Sequence, residues 1–133
     1  MSWKSILIVL SIFTFSFHFV SANDIKVENI SLVNQNTTDD YTWIKFDLSW
    51  DNSWRTSNGP MNWDAAWVFA KFRVGSGAWQ HANIHYIDGI NDGHSGPAGV
   101  AFNTTNDEKG CFIYRSVDGS GNVQWNNIHL RWD

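Results

Sequence analysis

The stretch YTWIKFDLSW, residues 41–50, alternates apolar and polar side chains with a period of two. The apolar positions are Ile44, Phe46, Leu48 and Trp50. Side chains of a β-strand point alternately to opposite faces, so this pattern predicts a strand with one buried face and one solvent-exposed face.

Strand-like runs recur on both sides of this stretch. They cover residues 25–33, 65–74, 79–87, 100–102, 111–117 and 123–132. Gly, Asn, Asp and Pro cluster between them, and Gly75-Ser76-Gly77 is a tight turn of the kind that closes a hairpin. No segment keeps the spacing of three and four that marks an amphipathic helix. The chain is therefore predicted to be all-β, an antiparallel β-sandwich (immunoglobulin-like or jelly-roll-like) of roughly six to eight strands.

The first 22 residues have the form of a secretory signal peptide. Lys4 precedes an apolar run over residues 6–20, and Val20-Ser21-Ala22 supplies small or compact residues at the cleavage point. A membrane anchor is the weaker alternative, because a spanning helix needs about 20 apolar residues. We expect a protein that is secreted or at the cell surface, extracellular or periplasmic. Residues 23–133 are expected to form a single domain, the N-terminal part of a longer protein.

Charge and cysteine content narrow the function classes. Lys4 is the only charged residue among the first 22, so eight Lys and Arg stand against 13 Asp and Glu and give a net charge of −5. An acidic domain without a basic run lacks the electrostatic footprint for nucleic acid or for an anionic membrane. The single Cys111 allows no disulfide within the chain, and its apolar surroundings predict a buried thiol.

The chain is rich in tryptophan, and four indoles belong to a repeated pattern. Trp-Asp-x-x-Trp occurs at residues 50–54 and again at 63–67. The mature part holds eight of the nine tryptophans, more than one sandwich core accommodates, so some rings should be exposed. Core packing is the main interpretation, and ligand stacking or an interface with another domain are the alternatives. Trp54, Trp63 and Trp67 are the candidate ligand-binding rings, with Arg55 as a cation–π partner.

Asp51 and Asp64 each follow the first tryptophan of a unit. Both have two interpretations: a cap that accepts backbone N–H bonds at a turn, or part of a ligand-binding or calcium site. His81 and His85 stand about 13 Å apart on an extended strand, too far to share a zinc ion. No nucleophile or phosphate-loop motif occurs. We therefore expect no metal, no cofactor and no catalytic residue.

Several longer motifs carry a family resemblance. They lie at residues 46–55, 62–69, 71–74, 79–82, 92–94, 97–100, 112–115 and 130–132. Together they resemble a module of secreted bacterial proteins that precedes a formylglycine-generating-enzyme-like (sulfatase-modifying-factor-type) domain. The resemblance spans about residues 25–132. It implies an N-terminal β-sandwich without chemistry of its own, whose partner is that downstream domain or a surface protein. The alternative is a glycan-binding module that uses exposed tryptophans.

Overall fold

The computed structural model describes residues 23–133, so the predicted signal peptide at 1–22 lies outside the described residues. Nine strands follow one another along this part of the chain. They are β1 (Lys26–Asn36), β2 (Tyr41–Thr56), β3 (Asn62–Trp63), β4 (Ala66–Val68), β5 (Lys71–Phe72), β6 (Gln80–His81), β7 (Val100–Thr104), β8 (Cys111–Arg115) and β9 (Gly119–Trp132). Residues 23–133 contain no helix, and so none that could cross a bilayer.

The long strand β2 organises the first sheet. It pairs antiparallel with β1 on one side and with β9 on the other. Its last two residues, Arg55 and Thr56, also pair with β3. The side chains predicted to face inward from residues 44, 46, 48 and 50 are all buried, as the alternation requires. A bulge between Trp50 and Ser53, with Asn52 at φ 57°, turns Ser53 inward and Trp54 outward.

The second sheet has the strand order β4-β8-β7, again antiparallel. A separate hairpin pairs β5 with β6, and the predicted turn at Gly75-Ser76-Gly77 lies between them. Both sheets contribute to one core. Its buried members include Phe46, Trp50, Trp125 and Ile128 from the first sheet, and Phe102, Cys111 and Ile113 from the second.

The all-β antiparallel prediction is confirmed, whereas the strand count was too low. Residues 65–74 form two short strands instead of one, since pairing passes from β8 to β6 at residues 69–70. The run 79–87 pairs as a strand only at 80–81. After residue 81 the backbone N–H groups donate to carbonyl oxygens in three different segments. Ala82 donates to Ala70, Ile84 to Glu108 and His85 to Arg131, so no single strand pairs with this run. The finer choice of an immunoglobulin-like or jelly-roll-like sandwich stays a prediction.

Candidate binding surface

The outer face of the second sheet carries large apolar side chains. Residues paired across neighbouring strands project from the same face of a sheet. Ala66, Ile113 and Phe102 form one such row, which is buried in the core. The next row must therefore point outward. It consists of Trp67 on β4, Phe112 on β8 and Asn103 on β7, and Ile90 extends it through an isolated bridge to Asn103.

A second aromatic pair lies beside this row. Tyr114 is two residues beyond Phe112 on β8, so it points to the same face about 7 Å along the strand. The ring of Trp63 stacks on Tyr114 with a centroid separation of 5.7 Å and an interplanar angle of 21°. We call the set of Trp63, Trp67, Ile90, Asn103, Phe112 and Tyr114 the aromatic face.

Trp67 is held in a fixed position on this face. Its ring centroid lies 4.7 Å from that of Phe112. It also covers Gly110, where an added Cβ would stand 2.4 Å from Trp67 Cζ2 and 2.6 Å from Cη2. Only a glycine leaves room for the indole to lie this close to the backbone. Even so, 42% of Trp67 remains exposed.

Arg55 fixes the other pair. Its guanidinium carbon lies 4.7 Å from the centroid of Trp63 and 5.6 Å from that of Tyr114. The Arg55 Nη1–H group donates to the carbonyl oxygen of Arg115 at 2.7 Å, which ties the arginine to the end of β8. Because the positive charge sits against two ring faces, it restrains both rings.

Asp64 links the two Trp-Asp-x-x-Trp units. One of its carboxylate oxygens accepts Trp50 Nε1–H at 2.8 Å. The other accepts Trp54 N–H at 2.9 Å and Ser53 Oγ–H at 3.1 Å. The Asp64 N–H donates to the Trp54 carbonyl in return. Asp64 therefore bonds across to β2, with one backbone N–H group among its three donors, and it positions the neighbouring Trp63 against β2.

The structure gathers only part of the predicted site. Trp63 and Arg55 are in contact, and Trp67 shares their face. Trp54 is exposed but alternates with the buried Ser53 and with Arg55, so it projects from the opposite side of β2. Within residues 23–133 the Asp51 carboxylate makes no hydrogen bond, and no group of three or more His, Cys, Asp or Glu residues is arranged to hold a metal.

Five residues in or beneath the aromatic face were not predicted from the sequence, namely Ile90, Asn103, Gly110, Phe112 and Tyr114. A signal was present at two of them. In CFIYR, residues 111–115, the first four residues are all apolar or aromatic, so the set that faces outward is apolar as well. Ile90 and Asn103 lie outside β8 and reach it only through strand pairing, and Gly110 directly precedes β8 but carries no side chain that would have marked it.

Titratable groups elsewhere in the described chain are tied into the fold. Burial raises the pKa of the Cys111 thiol to about 11, so the thiol stays protonated at neutral pH. Burial lowers the pKa of His94 to about 4. The ring of His94 accepts Arg131 N–H at Nδ1 and therefore carries its proton on Nε2, which donates to Thr104 Oγ1 at 3.0 Å. His85 Nδ1 bonds to a carboxylate oxygen of Asp133.

No protein-family model, curated protein or solved structure matches this chain.

Proposed function

We propose that this chain is a secreted, non-catalytic accessory domain whose aromatic face binds a protein partner. The observation that carries the proposal is the contiguous outward set of Trp67, Phe112, Tyr114 and Trp63. Single exposed apolar residues are ordinary, whereas a continuous apolar patch marks an interaction site. Tryptophan, tyrosine and arginine are also the residues that contribute most to binding energy at protein interfaces.

The rings of the face are ordered before any partner arrives. Trp67 is wedged between Phe112 and Gly110, and Trp63 lies against Tyr114 and Arg55. Because their rotamers are already restricted, binding costs little further side-chain entropy. A surface of this kind is suited to bind a rigid partner protein that has a complementary concave surface. The resemblance to modules of secreted bacterial proteins names the partner: a formylglycine-generating-enzyme-like domain downstream, with a surface protein as the other possibility.

The hydrogen bonds of two carboxylates favour a structural role over a catalytic one. Asp64 is engaged by three donors of β2, and Asp92 accepts backbone N–H groups of Asp88 and Gly89. A general base must be within reach of a substrate proton. These carboxylates instead satisfy buried donors of the protein itself.

Glycan binding is the second candidate, and one observation favours it. Trp67 keeps an open ring surface, and the exposed amide of Asn103 stands in the same row, so a sugar ring stacked on the indole has a hydrogen-bonding group within the row. Against it, Trp63 already stacks on Tyr114 and carries Arg55, and Trp54 faces the other way. Two coplanar open indoles, the arrangement that a disaccharide platform needs, are not assembled from these three.

The test compares Trp67→Ala with Trp79→Ala. Trp79 is more exposed than Trp67, at 61%, and lies near Arg73 outside the aromatic face, so it controls for loss of a surface indole. Binding of a formylglycine-generating-enzyme-like domain would be measured by calorimetric titration. Trp67→Ala should weaken it by roughly 10-fold or more, the effect of an interface anchor, and Trp79→Ala should leave it unchanged.

The same titrations with soluble polysaccharides separate the two candidates. Binding of a polysaccharide, lost in Trp67→Ala and kept in Trp79→Ala, would replace the protein partner with a glycan. Equal loss in both variants, or no loss in either, would remove the aromatic face from the function.

A further inference from the structure

Strand β1 is an edge strand. In the described part of the chain it pairs with β2 alone, so the backbone N–H and C=O groups along its other edge have no strand partner. A long unpaired edge is a template on which another strand can add. The edge belongs to β1, whereas the aromatic face lies on the second sheet together with Trp63 of β3, so no residue belongs to both surfaces.

Apolar side chains on the core face of β1 are uncovered. Val27 is paired with Leu48 and Leu32 with Ile44, so each pair projects from the core face of the sheet. Leu48 is 1% exposed, yet Val27 is 42% exposed and Leu32 60%. The core face of the first sheet thus extends past the second sheet and leaves an apolar strip along β1.

The charges of β1 indicate what covers this strip. Lys26 and Glu28 flank Val27 and project to the opposite face. When two identical strands pair antiparallel about a two-fold axis, the residues on either side of the axis face each other. Centred on Val27, Lys26 of each copy faces Glu28 of the other, which gives two favourable cross-strand pairs. Centring on Lys26 or on Glu28 would place like charges together.

The geometry of β1 agrees with this register. A bulge between Glu28 and Ser31, with Asn29 at φ 54°, ends the regular pairing just after Glu28. The regular segment is therefore centred near Val27. Lys26 is paired with Asp24 at 2.8 Å in the single chain, with both side chains more than half exposed. Such an exposed pair is worth little, so exchanging Asp24 for a second copy's Glu28 costs little.

We propose that two copies of this chain pair through β1, antiparallel about a two-fold axis at Val27. The two first sheets then form one continuous sheet, the free backbone edges satisfy each other, and the Val27 side chains pack together across the axis. The partner for this edge is a second copy because the segment around Val27 is complementary to itself in both charge and apolar character.

Charge exchange tests the proposal. Lys26→Glu and Glu28→Lys are made singly and together, and the dimer dissociation constant is measured by sedimentation equilibrium on the purified chain. Each single change turns two opposite-charge pairs into two like-charge pairs and should weaken the dimer roughly 10- to 30-fold. The double variant restores opposite charges in the same register and should recover the wild-type constant.

The matched control is Lys45→Glu. Lys45 lies on the same outward face, opposite Ser31 but on the interior strand β2, so the same charge change there should leave the dimer intact. A chain that stays monomeric at every concentration would overturn the proposal. A dimer that withstands either single reversal, or one that the double variant does not restore, would also overturn it.

Discussion

Asp51 and Asp64 hold the same place in the two Trp-Asp-x-x-Trp units, but the protein uses them differently. Asp64 accepts hydrogen bonds from the indole of Trp50, the hydroxyl of Ser53 and the backbone of Trp54. Trp50 and Ser53 are buried, so these donors have no water to replace the carboxylate. At the scale of a single residue, function within the fold is decided by what lies opposite a side chain, not by its place in a motif.

The two aspartates provide a matched pair of substitutions. Asp64→Ala should lower the free energy of unfolding by about 3 kcal/mol, because it leaves the buried Trp50 N–H and the Ser53 hydroxyl unsatisfied. Asp51→Ala should change it by less than about 0.5 kcal/mol, as expected for a surface substitution. Urea denaturation measures both. Equal effects would show that Asp64 is not the link between the units.

At the scale of elements, the same repeat places its tryptophans in opposite environments. Trp50 lies on β2 facing the core, where it meets Trp125 edge to face with centroids 5.1 Å apart. Trp67 lies on β4, whose inward positions are taken by Ala66 and Val68, so its ring faces out. Strand alternation therefore separates a structural indole from one available for binding.

This difference predicts unequal costs of removing each ring. Trp50 is 2% exposed, and Trp50→Ala should destabilise the protein by about 3–5 kcal/mol through loss of buried surface and an unfilled cavity. Trp67→Ala removes a ring that is already partly in water and should cost less, about 1.5–3 kcal/mol. Thermal and urea unfolding of the two variants checks the ranking. A larger loss for Trp67→Ala would mean that the aromatic face is mainly core.

At the scale of the whole molecule, His94 joins parts that are far apart in sequence. Its loop follows Asp92, whose buried carboxylate accepts the N–H groups of Asp88 and Gly89. The imidazole then bonds to Thr104 on β7 and to the backbone of Arg131 on β9. Because β7 and β9 belong to different sheets, a neutral His94 is part of what holds the sheets in place.

That role predicts acid sensitivity. In the folded protein the pKa of His94 is about 4, against about 6.5 for an unperturbed histidine. As pH falls from about 6.5 towards 4, the unfolded chain takes up a proton that the folded chain does not. The contribution of neutral His94 to the free energy of unfolding is fully present above pH 6.5. It falls as the pH is lowered, by about 3 kcal/mol in total at pH 4.

The measurement is the free energy of unfolding against pH for wild type and for His94→Gln. The variant should lack the portion of the slope that His94 contributes, although it starts from a lower stability at pH 7. Carboxylates that titrate in the same range affect both proteins and cancel in the difference. Parallel curves between pH 4 and 6.5 would mean that His94 is not the titrating group.

Alternation alone was enough to predict β2 and β9, the all-β class and the buried set from Ile44 to Trp50, because a period of two in a long run leaves a strand one face to bury. The number of tryptophans, which exceeds what one core can hold, marked Trp54, Trp63 and Trp67 as binding candidates, with Arg55 as their cation–π partner. Alternation does not predict which strands become neighbours in a sheet. Pairing of β8 with β4 and β7 set Phe112 beside Trp67 and Asn103, the bulge at Asn52 sent Trp54 to the other side, and the extent of the second sheet left β1 uncovered. These are contacts between residues tens of positions apart in the chain. They form because two sheets bury one common core, and a local sequence pattern contains no information on which distant residues meet there.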